Sequence, residues 1–189
     1  MQIQQFVGET PVSLMSAKMG SGINEWVDQL LRERSADDKN LDLDYQIYGQ
    51  AEVSLGWLNA TVDFVSDQDF SPTELGEAVV GKIQEHCLVK RIAIAHLKIL
   101  FVTAAGSDRI SLTTSVSQAG WDGEGNLGLV RETSAIINAR VGTKPQELRR
   151  IVEEALQFSA LERGVSAAIL NVESFSPAPP QRPVLQPVD

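Results

Sequence analysis

The side chains of this 189-residue chain that could do chemistry are few and scattered. "SAKMGSG", residues 16–22, sets the small Ala17 between Ser16 and Lys18, with Gly20 and Gly22 close behind. A small residue in a tight loop lets the main chain approach the flat edge of a purine base, and the glycines turn the chain into a helix. Ser16, Ala17 and Lys18 form the loop in which such an approach is possible, although an ordinary strand, turn and helix would have the same pattern. No G-x-x-x-x-G-K-[ST] run is present to cradle phosphates, and no Asn-Lys-x-Asp stretch supplies a carboxylate to read a base. "DGEGNLG" (122–128) has the glycines but neither the lysine nor a strand-loop-helix context, and is expected to be a mobile loop. Taken alone, the chain is not expected to hydrolyse nucleotide or to carry catalytic residues.

Metal chemistry has three candidates, His86, Cys87 and His96. His86 and Cys87 are neighbours near the expected end of a helix, where adjacent side chains diverge by about 100° and do not converge on one ion. Cys87 fits a core filler, and no metal site is expected. As the lone cysteine it cannot form an internal disulfide. His96 and Lys98 are expected to share a strand face with Ile92 and Ile94 and to serve a tertiary or interdomain hydrogen bond. Glu52, Trp57 and Asn59 could line a functional surface. Trp57 fits core packing equally well, and a buried Asn59 would need hydrogen-bond partners. The pairs Glu153/Glu154 and Asp37/Asp38 are most simply solvated charge.

These residues must be positioned by a small number of elements. Ile23, Trp26, Val27, Leu30 and Leu31 obey the i, i+3, i+4, i+7, i+8 rule and give an amphipathic helix whose apolar stripe needs burial on a partner surface. A polar linker (35–47) comes next, then an alternating strand that puts Trp57, Asn59 and Thr61 on one face and Leu58, Ala60, Val62 and Phe64 on the other. "SPTELGEAVVGKIQEHC" opens a helix with Ser71 as cap and Pro72 in its first turn. A central strand (91–104), a turn at 106–108 and a hairpin partner (109–117) succeed it. After the glycine-rich loop there is a strand (134–141), then a helix announced by Thr143 as cap, Pro145 and Gln146, with Leu148, Ile151, Val152, Ala155 and Leu156 as its apolar stripe, then a last strand (165–175).

The expected fold class is α+β: a mainly antiparallel sheet with two crossover helices on one face, a split βαβ, ferredoxin-like variant. A strand-turn-helix precedes it. The expected boundaries are 1–34 for that opening piece, 35–47 for the linker, 48–176 for the α/β domain and 177–189 for a proline-rich tail. The net charge of −9 argues against a nucleic-acid surface. No apolar run approaches the roughly 20 residues of a membrane span, and no secretory signal opens the chain. A cytoplasmic location is the expectation.

The segments "SAKMGSGINEWVDQL", "DLDYQIYGQAEVSLGWLNATVDF", "AHLKIL", "SLTTS" and "FSPAPPQRP" succeed one another in an order that resembles the C-terminal half of CobW-like GTPases. These belong with the cobalamin-synthesis, hydrogenase and urease metallochaperones. The resemblance spans most of residues 11–183, and "YGQAEVSLGWLNA" (48–60) is its most specific part. It implies that residues 1–34 correspond to the end of a GTPase core, in which Ser16, Ala17 and Lys18 form the loop that contacts guanine. It also implies a smaller α/β domain behind that core, serving delivery of a metal or a cobalamin-type cofactor. The departure is that the phosphate loop, the switch regions and the family's cysteine motif would all lie upstream of Met1. The chain is then expected to be a non-catalytic effector or docking domain that binds no cofactor on its own, and GTP only if a partner subunit completes the site. Expected partners are a GTPase subunit or a second copy. The alternative is a stand-alone module that binds a small ligand or a protein and has no nucleotide role.

Overall fold

Alternation of apolar and polar residues along one long strand organises the larger part of the molecule. In β1 (Gly56–Phe70), Leu58, Ala60, Val62 and Phe64 are all buried, while their neighbours point the other way. The computed structural model describes residues 12–17, 19–32 and 54–178, with Gln5 and Gly8 besides. The chain divides into two compact units, Met1–Asp42 and Leu43–Asp189.

The second unit continues with α2 (Pro72–Lys90), β2 (Ile94–Thr103), β3 (Gly106–Leu112), β4 (Gly120–Trp121), β5 (Val130–Val141), α3 (Pro145–Leu161) and β6 (Ser166–Phe175). The strands form one six-stranded sheet in the order β4-β3-β2-β5-β1-β6, and every neighbouring pair is antiparallel. Because β1 and β2 both run antiparallel to β5, which lies between them, they are parallel to each other, and β1-α2-β2 is a split βαβ unit. The same holds for β5-α3-β6 around β1. The four strands β2-β5-β1-β6 thus have the ferredoxin-like order, and β3 and β4 extend the sheet at the β2 edge.

α2 (Pro72–Lys90) begins as its sequence requires: the Ser71 hydroxyl accepts the Glu74 N–H at 3.2 Å, and Pro72 occupies the first turn. It buries Leu75, Val79, Val80, Ile83 and Cys87, and ends where Arg91 takes a left-handed conformation (φ 56°). α3 (Pro145–Leu161) buries Leu148, Ile151, Val152, Ala155 and Leu156, the expected stripe. Both helices pack on the same face of the sheet, and their buried residues join Leu97, Ile99, Phe101, Ile110, Ile137 and Val141 in one continuous core. The rings of Phe64, Phe101 and Trp121 stand in a row with neighbouring centroids 6.2 Å apart. The opposite face of the sheet is covered by neither helix.

Several expectations are corrected. The α3 cap is Lys144, not Thr143, and makes no side-chain cap bond. A residue before proline is driven to extended backbone, and Lys144 at ψ 148° shows it, so Pro145 fixes the helix start one residue later. The turn between β2 and β3 falls at Ala104 and Ala105, and Gly106 already pairs with Thr103. β3 ends at Leu112 because Ser115 is drawn into other bonds: its hydroxyl accepts the Ile94 N–H at 2.7 Å and lies 3.0 Å from the Ile92 carbonyl. The loop 122–128 is held rather than mobile, with the Gly123 and Gly125 N–H groups bonded to the Asp108 carboxylate.

In the first unit, α1 (Ile23–Arg32) is helical as expected and buries none of its residues. Val12 to Ser16 carries no strand assignment, in contrast to the short strand expected there, since no strand among the described residues pairs with it. The linker 35–47, Lys18, Glu52 and all of the tail beyond Ala178 lie outside the described residues.

Candidate functional site

The turn that leads into α1 is closed by Ser16. Its N–H donates to the Ser21 carbonyl at 2.9 Å, and its hydroxyl accepts the Met19 N–H at 3.2 Å. Gly20 and Gly22 both have positive φ, 71° and 73°. At Gly22 a Cβ would also run into the Leu14 carbonyl oxygen, so the sharp entry into α1 requires glycine. Ala17 is exposed at the tip of this turn, and Lys18, the third residue of the candidate loop, lies outside the described residues. Behind the turn the stripe of α1 is open: Trp26 is 43% exposed, Val27 39%, Leu30 56% and Leu31 78%. Ile23 is half-buried.

The sheet face opposite α2 and α3, which no described element of this unit covers, is the second candidate surface, and strand register assembles it. Trp57 pairs with Arg140, which pairs with His96; Asn59 pairs with Asn138, which pairs with Lys98; Thr61 pairs with Ile136, which pairs with Leu100. The Arg140 guanidinium sits 3.9 Å above the Trp57 ring centroid, a cation–π contact. Phe175 flanks the same ring from β6, centroids 5.9 Å apart. Trp57 therefore lies on the open face and is not a core residue; its indole Nε1 is buried without a hydrogen-bond partner. Asn59 is exposed and its Oδ1 accepts from Asn138 Nδ2 at 2.7 Å, so the network expected for a buried asparagine forms as a cross-strand pair at the surface. Further along, the Ser134 hydroxyl donates to Asp63 Oδ1 at 2.6 Å.

His96 also faces this open side, but Ile94 does not. Pairing shifts between Ile94 and His96, so a bulge at Ala95 breaks the alternation, sends Ile94 into the core and turns His96 outward. The His96 imidazole is held below its ordinary pKa, first by partial burial and then by the positive charges of Lys98, Arg140 and Arg109. The face carries His96, Lys98 and Arg140 toward one end, Arg109 on β3 in register with Leu100 at its middle, and Asp63 and Glu132 toward the other end, with Glu173 on β6. Arg109 is tied to the Asp122 carboxylate through Nε at 2.8 Å and through its second nitrogen.

The three metal candidates do not converge. Cys87 is fully buried between α2 and the sheet, and burial pushes its thiol up to about 11. His96 is on the far side of the sheet layer. His86 lies in a groove of about 320 Å³ between α2 and α3, lined by Lys82, Val89, Glu154 and Phe158. Its Nε2 is 3.9 Å from Glu147 Oε1 and has no hydrogen-bond partner. Glu147 in turn is bonded by Arg150 (2.7 and 3.1 Å), which holds its carboxyl below the ordinary range. Among the described residues, no group of three or more His, Cys, Asp or Glu side chains is placed to hold a metal ion.

Two features escape a reading of residues in sequence. Arg140 and Glu132 project from β5 beside Trp57 and Val65 only because of the β1–β5 register. The alternation of "SAIINARV" (134–141) marks Arg140 as outward-facing but not what it stands next to, and Glu132 precedes that segment. Asp108 is the other. Its carboxylate accepts the N–H groups of Arg109 (2.7 Å), Gly123 (2.9 Å) and Gly125 (2.9 Å), pinning the loop 122–128. Thr73 of α2 donates to the Gly125 carbonyl, and Leu127 is tucked into the core. At Gly123 a Cβ would meet the Asp108 carboxylate at 2.7 Å, and at Gly125 the Trp121 ring at 2.9 Å, so the glycines serve this clasp and not a phosphate.

No helix among the described residues is long and apolar enough to cross a membrane. Comparison of the chain with protein-family models, with curated proteins and with solved structures gives no match, so the surfaces themselves carry the functional reading.

Proposed function

We propose that the chain is a non-catalytic docking domain of a CobW-like GTPase system, acting in delivery of a metal or a cobalamin-type cofactor. The observation that carries this reading is the opening turn with its helix: a tight loop presenting Ala17 at its tip, then an amphipathic α1 whose apolar stripe is unburied. A separately made GTPase subunit would supply the phosphate loop, take the stripe of Trp26, Val27, Leu30 and Leu31 into its own core, and gain the turn at its guanine pocket. Burying one large apolar side chain is worth about 1.5–3 kcal/mol, so a stripe of this size is sufficient for a specific complex. GTP would be bound only in that complex. The resemblance of residues 11–183 to the C-terminal half of such GTPases supplies the identity of the partner class, and the described part of its most specific segment, 54–60, leads into and opens β1.

The test is co-purification from the native cell with mass-spectrometric identification, then GTP titration of the chain alone and of the complex. The expected partner contains a phosphate loop, is lost with Trp26→Asp and Leu30→Asp, and binds GTP more tightly with the chain than without it. Tight magnesium-dependent GTP binding by the isolated chain, or an unchanged complex with both variants, would overturn the proposal. The second reading, a stand-alone interaction module, is favoured by the uncovered sheet face with its Trp57–Arg140 stack, and predicts complexes that the α1 variants leave intact.

A further inference from the structure

We infer that the uncovered sheet face is the contact surface of a two-fold homodimer, formed by two copies of this chain packed sheet to sheet. The inference does not depend on the GTPase reading, which concerns α1. It rests on the way the face is laid out about a single row of residues. That row is Thr61 on β1, Ile136 on β5 and Leu100 on β2, which are register partners. Arg140 and Glu132 lie on β5 at equal distances on either side of Ile136, four residues each way, or about 13 Å along a strand. Trp57 and Val65 lie in the same way about Thr61, and His96 and the chain beyond Thr103 are outside the symmetric part, where Lys98 and Val102 flank Leu100.

A two-fold contact must be self-complementary: what one copy presents at one end, the other must accept at its opposite end. With the axis crossing the strands at the Ile136 row, Arg140 faces the partner's Glu132, and Glu132 faces the partner's Arg140. Trp57 meets the partner's Val65. The Asn59–Asn138 amide pair faces the partner's Asp63 and Ser134, setting amide donors against a carboxylate. Ile136 and Leu100 meet their own counterparts in the centre, and so does Arg109 at the β3 end of the row, where each guanidinium is already bonded to the Asp122 carboxylate of its own chain. Val65 (51% exposed), Ile136 and Val102 (43% each) leave water on docking, which is why the face exposes β-branched apolar side chains between its charges.

Size agrees with this occupant. Five strands about 4.8 Å apart and eight residue steps along them give roughly 500 Å² in projection, and side-chain relief brings this toward the 800 Å² per partner of a standard interface. Two sheets packed face to face lie about 10 Å apart, a gap that these side chains fill. A nucleic acid fits less well: the same face carries Asp63, Glu132 and Glu173, and the whole chain is at −9, so a phosphate backbone would meet carboxylates as well as arginine.

The test is sedimentation velocity or size-exclusion light scattering of the full chain up to about 100 μM, a range that reaches micromolar dimers. The expected species is a dimer that Ile136→Asp converts to monomer, with unchanged far-UV circular dichroism. Arg140→Glu and Glu132→Arg should each weaken it by about a hundredfold, roughly tenfold for each of the two close charge pairs that the two-fold axis makes and that either change reverses. The combined R140E/E132R protein should recover most of the wild-type affinity, because the pair is rebuilt with its charges exchanged. A monomer at every concentration would overturn the inference. So would a dimer indifferent to Ile136→Asp, a double variant no better than the singles, or a face that instead binds a labelled single-stranded oligonucleotide probe without dimerising.

Discussion

Replacing Asp108 by alanine tests the account of the glycine-rich loop most directly. The carboxylate accepts three backbone N–H groups, from Arg109, Gly123 and Gly125, and two of these donors belong to the loop. Hydrogen bonds to a charged acceptor contribute about 1.5–3 kcal/mol each when their partner is removed and nothing replaces it. Full loss of three would exceed about 4 kcal/mol by that measure, but the Gly123 N–H is exposed and water can take over there. The net cost should therefore be about 2–3 kcal/mol, mostly from the Gly125 and Arg109 donors, which are partly buried. For a chain of this size that lowers Tm by about 4–12 °C. Differential scanning calorimetry gives the stability, and amide hydrogen exchange at Gly123 and Gly125 shows whether the loop opens. An Asp108→Ala protein within about 1 °C of wild type, with unchanged exchange at both glycines, would refute the idea that this side chain orders the loop.

The same structure sets three other outcomes. Cys87, buried and with its thiol pushed up to about 11, should resist a thiol reagent at pH 8 in native buffer and react fully in denaturant; rapid stoichiometric labelling of the folded protein would contradict the packing. Gly76 and Gly81 lie on the same helix in opposite environments, and Gly→Ala should change stability in opposite directions. At Gly76 the added Cβ would lie 2.7 Å from Phe101 Cε2, so overpacking of about 1–3 kcal/mol should outweigh the helix gain, whereas at Gly81 nothing lies within 4 Å and a gain of about 1 kcal/mol is expected. Denaturant melts of the two variants check this, and shifts of the same sign would contradict it. His96 is held below its ordinary 6.5 in the folded state, so above that pH neither state gains a proton and the group has no effect. As pH falls through 6.5 the unfolded chain binds a proton before the folded one does, and stability should fall. His96→Gln should flatten that part of the stability–pH curve, and the His96 ring should titrate below 6.5 by NMR; a higher midpoint would reverse the sign.

The fold was readable from local patterns because its elements obey them. Alternation in "LNATVDF" separated Leu58, Ala60, Val62 and Phe64 from Asn59 and Thr61, and the 3.6-residue period in α3 named its buried stripe residue by residue. The split βαβ arrangement came from two helices at crossover positions. What failed were places where one local rule met a competing one. Thr143 has the composition of a cap until Pro145 dictates the backbone before it, and alternation puts Ile94 on the face of His96 until the bulge at Ala95 intervenes. The loop 122–128 reads as mobile because its anchor, Asp108, is remote in sequence and unmarked by any motif. Of the candidate surfaces, the α1 stripe was fully legible, since a helix face needs only its own period. The sheet face was not, because Trp57, Arg140 and Glu132 are brought onto neighbouring strands only through register, which a single strand does not specify.

The position of β1 also bears on how the chain can be made. This 15-residue strand takes its partners only from β5 and β6, with contacts such as Asn59–Asn138 and Trp57–Ser174 spanning 79 and 117 residues. Emerging first from the ribosome among the six strands, it has no neighbour of its own until β5 appears, and it is not flanked on both sides until β6 does. Loop closure over such separations is slow. For most of its synthesis, "GWLNATVDFV" is thus an apolar segment with two open edges. Folding of this unit therefore has to wait for the C-terminal strands. A nascent chain stalled before β6 would present β1, an interior strand of the finished sheet, as an edge, which makes it a natural substrate for a chaperone that holds extended apolar segments.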